Sequence, residues 1–308
     1  MKKLKKVLLT GAGGQLGTAL QKLYPNPSLY DFVWIPITRK DLELSDFSAV
    51  SQFLRREKPD YIVNAAAYTN VDGAEDHINE CFAINAFLPK ILLDYCMESR
   101  CHLIHISTDY VFGGNAREMA PYIETNHHAP LNAYGASKSK GEELLLSQDP
   151  LHLHILRTSW LYGPRAWGKS FYKSILDKGM SGDPLRVVDD EIGSPTSTLS
   201  LARTIVSIIY GDINGFGLPS GIYHCADKGS VSRYEFAKAI LSLDPIARRT
   251  PITPITSAEL PPRAALRPKN STLECNKLEQ FDPDLVRPWQ EGLKAVYILD
   301  KKEHKDEV

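Results

Sequence analysis

Residues 7–17, Val7-Leu8-Leu9-Thr10-Gly11-Ala12-Gly13-Gly14-Gln15-Leu16-Gly17, decide the fold. Val7 to Thr10 opens with an apolar run without alternation, the pattern of a strand covered on both faces. Glycines follow at Gly11, Gly14 and Gly17, and Thr18 to Leu23 then reads as helix. A glycine turn between strand and helix lets backbone N–H groups and the helix N-terminus close on a pyrophosphate. The spacing is GxxGxxG rather than GxGxxG, and in this strand–turn–helix setting it predicts a dinucleotide site.

Outward from that turn the chain alternates strands with helices. Phe32 to Ile37 reads as a second strand, placed at a sheet edge by Pro36. It runs into Thr38-Arg39-Lys40, where folds that prefer NAD often carry an acid. Two cations there favour NADP, by neutralising a 2′-phosphate; the alternative is a pair of solvated loop cations. Ser45 or Asp46 is expected to cap a helix over Val50 to Arg56. Pro59 to Ala67 reads as a buried strand whose small last residues admit a ligand at its carboxyl end. Tyr68 to Asp72 is a polar loop, and one helix from Glu75 to Cys96, kinked at Pro89, is expected to cross back. Leu103 to Phe112 should deliver Ser107, Thr108, Asp109 and Tyr110 to the same edge, and Leu151 to Trp160 forms a further strand. The pattern predicts an α/β protein with a doubly wound parallel sheet.

Beyond Gly163 the alternation loosens into helices at 170–178, 199–210 and 234–243, a short strand at 222–224, and a proline-rich run from Pro251 to Pro268. This predicts a smaller domain over the ligand edge. The expected division is 1–162 with about 189–215, against about 163–188 with 216–308.

Tyr134-Gly135-Ala136-Ser137-Lys138 places a tyrosine and a lysine four residues apart, on one face of a helix. An ammonium beside a phenol favours the phenolate, so the tyrosine's pKa should fall and suit it to proton transfer. The plain alternative is an ordinary amphipathic helix start. His152 and His154 share one strand face, a packing pair more readily than metal ligands. Asp189-Asp190-Glu191 reads as a solvated acidic turn before a magnesium site. Trp160 and Tyr162 fit either core or, at a strand end, substrate stacking.

Composition sets the outer bounds. The 308 residues suit one large or two medium domains, and 43% hydrophobic with 24% charged residues is ordinary for a globular protein. A formal net charge of −1 gives no reason to expect a nucleic-acid or anionic-membrane partner. Five cysteines without a CxxC pair fit thiols in a reducing cytoplasm. The opening MKKLKK imitates a basic leader, but only Val7 to Leu9 follow before the glycines, too short for a signal or a membrane span.

Together these residues resemble the extended short-chain dehydrogenase/reductases, and more narrowly the dTDP-4-dehydrorhamnose reductases. The matching stretches are GAGGQLG, PDYIVNAAAYTNVDGAE, HISTDYVFGG, PLNAYGASKSKGE, ILRTSWLYG, the GSPT turn and RPKNSTLECNKL, which span nearly the whole chain. The resemblance implies a Rossmann domain with a smaller sugar-nucleotide domain. Tyr134 would donate the proton, Lys138 would lower its pKa and hold the nicotinamide ribose, and Thr108 would orient the substrate carbonyl. Gly11, Gly14, Gln15, Leu16 and Gly17 would hold the pyrophosphate, with Arg39, Glu43 and Leu44 around the adenosine end. Ala66, Ala67 and Tyr68 would line the cofactor; Thr69, Val71, Asp109, Tyr110 and Trp160 would face the sugar. The implied reaction is hydride transfer from NADPH, with NADH possible, to C4 of dTDP-4-dehydro-L-rhamnose, giving dTDP-L-rhamnose for surface polysaccharide. A monomer or homodimer is expected.

Three residues depart from the family pattern: Glu43 replaces an aspartate, and Ala19 and Leu299 replace acids of the magnesium-dependent members. Magnesium-independent activity is therefore expected, with no metal site. Two other functions fit parts of the pattern: a non-catalytic subunit like that of methionine adenosyltransferase, and a nucleotide-sugar epimerase or dehydratase that retains NAD.

Overall fold

The computed structural model describes residues 3–114 and 120–306. Six parallel strands form the central sheet: β1 (Lys5–Thr10), β2 (Phe32–Pro36), β3 (Tyr61–Asn64), β4 (His102–Thr108), β5 (Leu153–Thr158) and β6 (Gly221–His224). Their order is β6-β5-β4-β3-β1-β2, so the chain winds outward in both directions from β1 and β3. Register aligns Thr10 with Asn64 and Thr108 with Thr158, which brings the carboxyl ends of the middle strands to one edge. Pro36 ends the outermost strand, where a missing N–H leaves no ladder bond unmade.

One face of the sheet is covered by α1 (Gln15–Leu23) and a long helix at Thr198–Asn214. The other carries α2 (Phe47–Glu57), α3 (Leu88–Ser99) and α4 (Ala133–Leu146). Val7 and Leu9 enter the first apolar cluster and Leu8 the second, which is why β1 shows no alternation. Asp46 caps α2 by accepting from the Ala49 N–H, and Lys58 closes it in the left-handed region. A third cluster, including Tyr162, Tyr172, Leu176, Phe236 and Trp289, lies apart from both. There Leu185–Val188 pairs parallel with Ile252–Ile255.

Four expectations need correction. Gly221–His224 does not belong with the smaller domain: it pairs with β5 and completes the central sheet. The crossover after β3 is not one helix kinked at Pro89. It runs as Gly73–Asp76, Ile78–Phe82, a π turn at Ala83–Phe87 and then α3. Pro89 sits in the first turn of α3, where no intrahelical bond needs its N–H. The strand through Ser107 stops at Thr108, and Asp109–Val111 is a 3₁₀ turn started by the Thr108 hydroxyl accepting the Tyr110 N–H at 3.2 Å. Likewise β5 stops at Thr158, and Trp160 lies beyond it with φ +46.

Candidate active site

At the carboxyl edge of the sheet lies a cleft of about 1770 Å³, and every site residue named from the sequence lines it. Its floor at one end is the glycine turn. Gly11 has φ +66, and a Cβ there would lie 2.7 Å from the Ala65 carbonyl oxygen. A Cβ on Gly17 would lie 2.5 Å from the Gly11 oxygen, so only bare backbone lets α1 fold back on the turn. Gly14 caps α1 with no side chain, which leaves its first N–H groups facing the cleft. Gln15 donates from Nε2 to the Lys169 carbonyl at 2.8 Å, while its buried Oε1 has no partner among the described residues. Arg39 stands exposed beside this turn. Glu43 accepts from the Ser45 N–H and hydroxyl, which lower its pKa.

The middle of the cleft is where β4 meets α4. Asn132 caps α4 by accepting the Gly135 N–H at 2.8 Å, and Gly135 lies so close to the Tyr110 carbonyl that a Cβ would reach 2.2 Å from it. This contact sets Tyr134 beside Tyr110, ring centroids 5.6 Å apart and edge-on. Thr108 donates to Asp109 Oδ1 at 3.0 Å, and Ser159 donates to Asp109 Oδ2 at 2.8 Å. Burial raises the Asp109 pKa against these hydrogen bonds.

Lys138 does not act on Tyr134 as expected. Its Nζ donates to the Ile106 carbonyl at 2.6 Å rather than to the phenol. Burial pushes the lysine down to about 8, with Glu142 pulling it up. Burial pushes the Tyr134 phenol well above its ordinary value, and the Thr108 hydroxyl is what draws it down. The spacing of a tyrosine and a lysine on one helix face says nothing about the desolvation that wins here.

Behind this centre is a buried ion pair that the sequence did not single out. Glu142, one turn after Lys138, accepts from Arg157 Nη2 at 2.6 Å and from the Ser107 hydroxyl at 2.5 Å. The two charged side chains are 0% and 2% exposed. Arg157 also donates to the Glu124 carbonyl and lies 2.7 Å from His128 Nε2. Burial would raise Glu142, but His128, Arg157 and Ser107 hold it down at about 2. The pair ties α4 to the ends of β4 and β5, and so sets Tyr134 against Thr108.

The end of the cleft at Trp160 is cationic, lined by Arg233, Arg263 and Arg267. Only Arg267 fell in a stretch that carries the family resemblance, RPKNSTLECNKL; the others come from separate segments that carried no such signal. Arg267 donates to Asp72 at 2.6 Å, clamping the proline-rich run onto the loop after β3. Trp160 was expected to be open to substrate stacking, but the Arg233 guanidinium lies 3.5 Å over its ring. The three acids at 189–191 diverge: Asp189 accepts from Ser232, Asp190 from Lys269, and Glu191 from Arg263 at 2.8 Å.

His154 hydrogen-bonds His102 and the Leu218 carbonyl, ordinary packing inside the sheet. Ala19 is fully buried and Leu299 packs against the same cluster, so neither offers an oxygen ligand. The cysteines are free and buried. Among the described residues no helix is long and apolar enough to cross a membrane.

Comparison with known proteins agrees with this geometry. The RmlD substrate binding domain family matches residues 5–301. A dTDP-4-dehydrorhamnose reductase of Aggregatibacter actinomycetemcomitans is 37% identical, over 95% of this chain and 98% of its own. The crystal structure of a dTDP-4-dehydrorhamnose reductase from Clostridium acetobutylicum superposes with a TM-score of 0.85 at 38% identity, covering 96% of this chain and 99% of that one. One from Bacillus anthracis, solved in complex with NADP, gives 0.85 at 35% identity with the same coverage. With this coverage and identity the chain belongs to the RmlD substrate binding domain family, among the dTDP-4-dehydrorhamnose reductases.

Proposed function

We infer that this chain reduces dTDP-4-dehydro-L-rhamnose to dTDP-L-rhamnose with NADPH. The observation that carries the reading is the meeting of Thr108, Tyr134 and Lys138 midway between a bare glycine turn and a cationic pocket, in one cleft.

The glycine turn fits a dinucleotide: bare backbone at Gly11 and Gly17 lets β3 and α1 close tightly around it, and the buried Gln15 Oε1 has no partner among the described residues. The N–H groups opening α1 would take the pyrophosphate, with Leu16 and Gly17 beside them. Arg39 would meet a 2′-phosphate, which supports NADPH over NADH, and Glu43 and Leu44 would lie along the adenosine. Lys138 would hold the nicotinamide ribose, while Ala66, Ala67 and Tyr68 admit the ring. Reduced nicotinamide supplies a hydride to C4 of the keto sugar.

Thr108 turns its hydroxyl from Asp109 to the substrate carbonyl oxygen, a rotation about a single bond. Tyr134 donates its proton to the same oxygen as negative charge develops there. A raised phenol pKa suits this direction of reaction, because the donor stays protonated at neutral pH. Thr69, Val71, Asp109 and Tyr110 would surround the sugar. Residues 163–188 with those after 224 would form the substrate-side lobe, in a cytoplasmic monomer or homodimer.

The first test is NADPH consumption by purified protein with dTDP-4-dehydro-L-rhamnose, beside Tyr134→Phe. Wild-type turnover should fall by roughly 10²–10⁴-fold in the variant, the usual contribution of a positioned acid. Equal turnover in both would remove Tyr134 from the chemistry. Stoichiometric NAD carried through purification would favour an epimerase or dehydratase instead. Because Ala19 and Leu299 offer no ligands, a chelator should leave turnover unchanged; loss restored by magnesium would contradict that.

A further inference from the structure

We propose that Arg233 is a specificity-determining residue that holds the diphosphate of the nucleotide-sugar substrate. The proposal rests on the reductase reading and deepens it.

Three arginines of the cationic end lie near Trp160 and the proline-rich run, and two are already committed. Arg263 donates to Glu191 at 2.8 Å; Arg267 donates to Asp72 at 2.6 Å and to the Ala265 carbonyl at 2.8 Å. Arg233 is different. It opens the helix Arg233–Ser242, and its backbone N–H donates to the Glu191 carbonyl at 3.1 Å. Its guanidinium lies 3.5 Å over the Trp160 ring and 5.1 Å from Phe171, and no described residue accepts a hydrogen bond from it. Stacking positions the cation without using its N–H groups.

The platform beneath it is rigid. Trp160 takes a left-handed φ of +46, uncommon for a bulky residue, and its ring presses on Gly193, where a Cβ would lie 2.4 Å from Cε2. A larger residue at 193 would displace the ring and the guanidinium with it. The strained tryptophan and the bare glycine therefore both serve to hold Arg233 flat at the cleft wall. A guanidinium fixed by its face presents its donors edgewise, the geometry that takes two phosphate oxygens at once.

Position selects the ligand group. Arg233 lines the same cleft as Asp109 and Tyr110, which follow directly on Thr108. In a 4-keto nucleotide sugar the diphosphate leaves C1, across the pyranose ring from the reacting C4. With C4 held at Thr108 and Tyr134, the cation stacked on Trp160 in the same cleft is the group left to meet that diphosphate. The phosphates of the dinucleotide have their own place on the glycine turn, at the opposite end of the cleft.

The test is a titration of protein saturated with NADPH by dTDP, dTMP and thymidine, comparing wild type with R233M and R233K. Methionine keeps an apolar stem over Trp160. The expected result is about ten- to hundred-fold weaker dTDP binding by R233M, the cost of a lost charged hydrogen bond. Thymidine and NADPH binding should hold, and R233K should fall between, having charge without the fork. With the keto sugar, KM should rise while kcat stays, the sign of binding lost equally from ground and transition states. Unchanged dTDP binding, or equal weakening of dTDP and thymidine, would reduce Arg233 to a brace for Trp160 and overturn the proposal. A wild type that binds NADPH but no dTDP would sink the reductase reading itself, an outcome distinct from any effect of the variant.

Discussion

The two ends of the cleft are built in opposite ways. The end at Gly11–Gly17 is made of backbone: three short stretches, 11–17, 38–45 and 65–71, each following a sheet strand. Its contacts are close approaches that a single methyl would block. The end at Trp160 is made of long side chains from Arg233, Arg263 and Arg267, held by ion pairs and ring stacking. The first can be specified by residues adjacent in sequence; the second exists only after distant segments have packed. The Glu142–Arg157 pair joins them, because it anchors the helix that carries Tyr134 to the strands that carry Thr108 and Thr158.

That division makes the joint the most sensitive place. Glu142→Gln leaves Arg157 buried without its counter-charge, and should cost about 3–5 kcal/mol in chemical unfolding. Replacing both partners with apolar residues of similar volume should recover most of it, and failure to recover would mean the network does more than balance charge. The pH dependence has a definite sign. Glu142 is held at about 2 in the folded protein, below its ordinary 4.5. Its contribution is therefore complete above about pH 4.5 and lost as pH falls toward 2. Acid unfolding of Glu142→Gln should lack that component.

Smaller effects sharpen the contrast between the ends. Gly17→Ala puts a methyl 2.5 Å from the Gly11 carbonyl oxygen, a backbone atom that cannot move aside cheaply. NADPH affinity should drop roughly ten-fold or more, as for strain of about 1–3 kcal/mol, with dTDP binding kept. Loss of both ligands together would show that the ends are not independent. The smallest change is expected at Arg39, which is exposed and screened. Arg39→Ala should narrow the preference for NADPH over NADH several-fold, read as the ratio of kcat/KM values, and leave stability as it was.

Much of the protein was legible in its residues. The parallel sheet followed from apolar runs broken by glycine, and the edge position of β2 from Pro36. The cleft residues from Gly11 to Val71 could be named because each lies at a strand end or in the loop after it. What was not legible was desolvation and distance. The phenol of Tyr134 was expected to fall in pKa and instead rises, since burial outweighs an ammonium that is turned to Ile106. Gly221–His224 was set apart from the sheet because four residues at the end of a loosened pattern carry no sign of which strand they join.

The sequence by itself determined the sheet, the glycine cradle and the pairing of Tyr134 with Lys138 on one helix. These depend on periodicity and on steric rules that act within a few residues. Only the tertiary structure decided that Arg157 would neutralise Glu142, that Arg233 would lie on Trp160, and that Arg267 would clamp Asp72. Those pairings join residues 15, 73 and 195 positions apart, and the protonation of the groups between them follows from burial. Burial is a property of the packed whole, not of any stretch of chain.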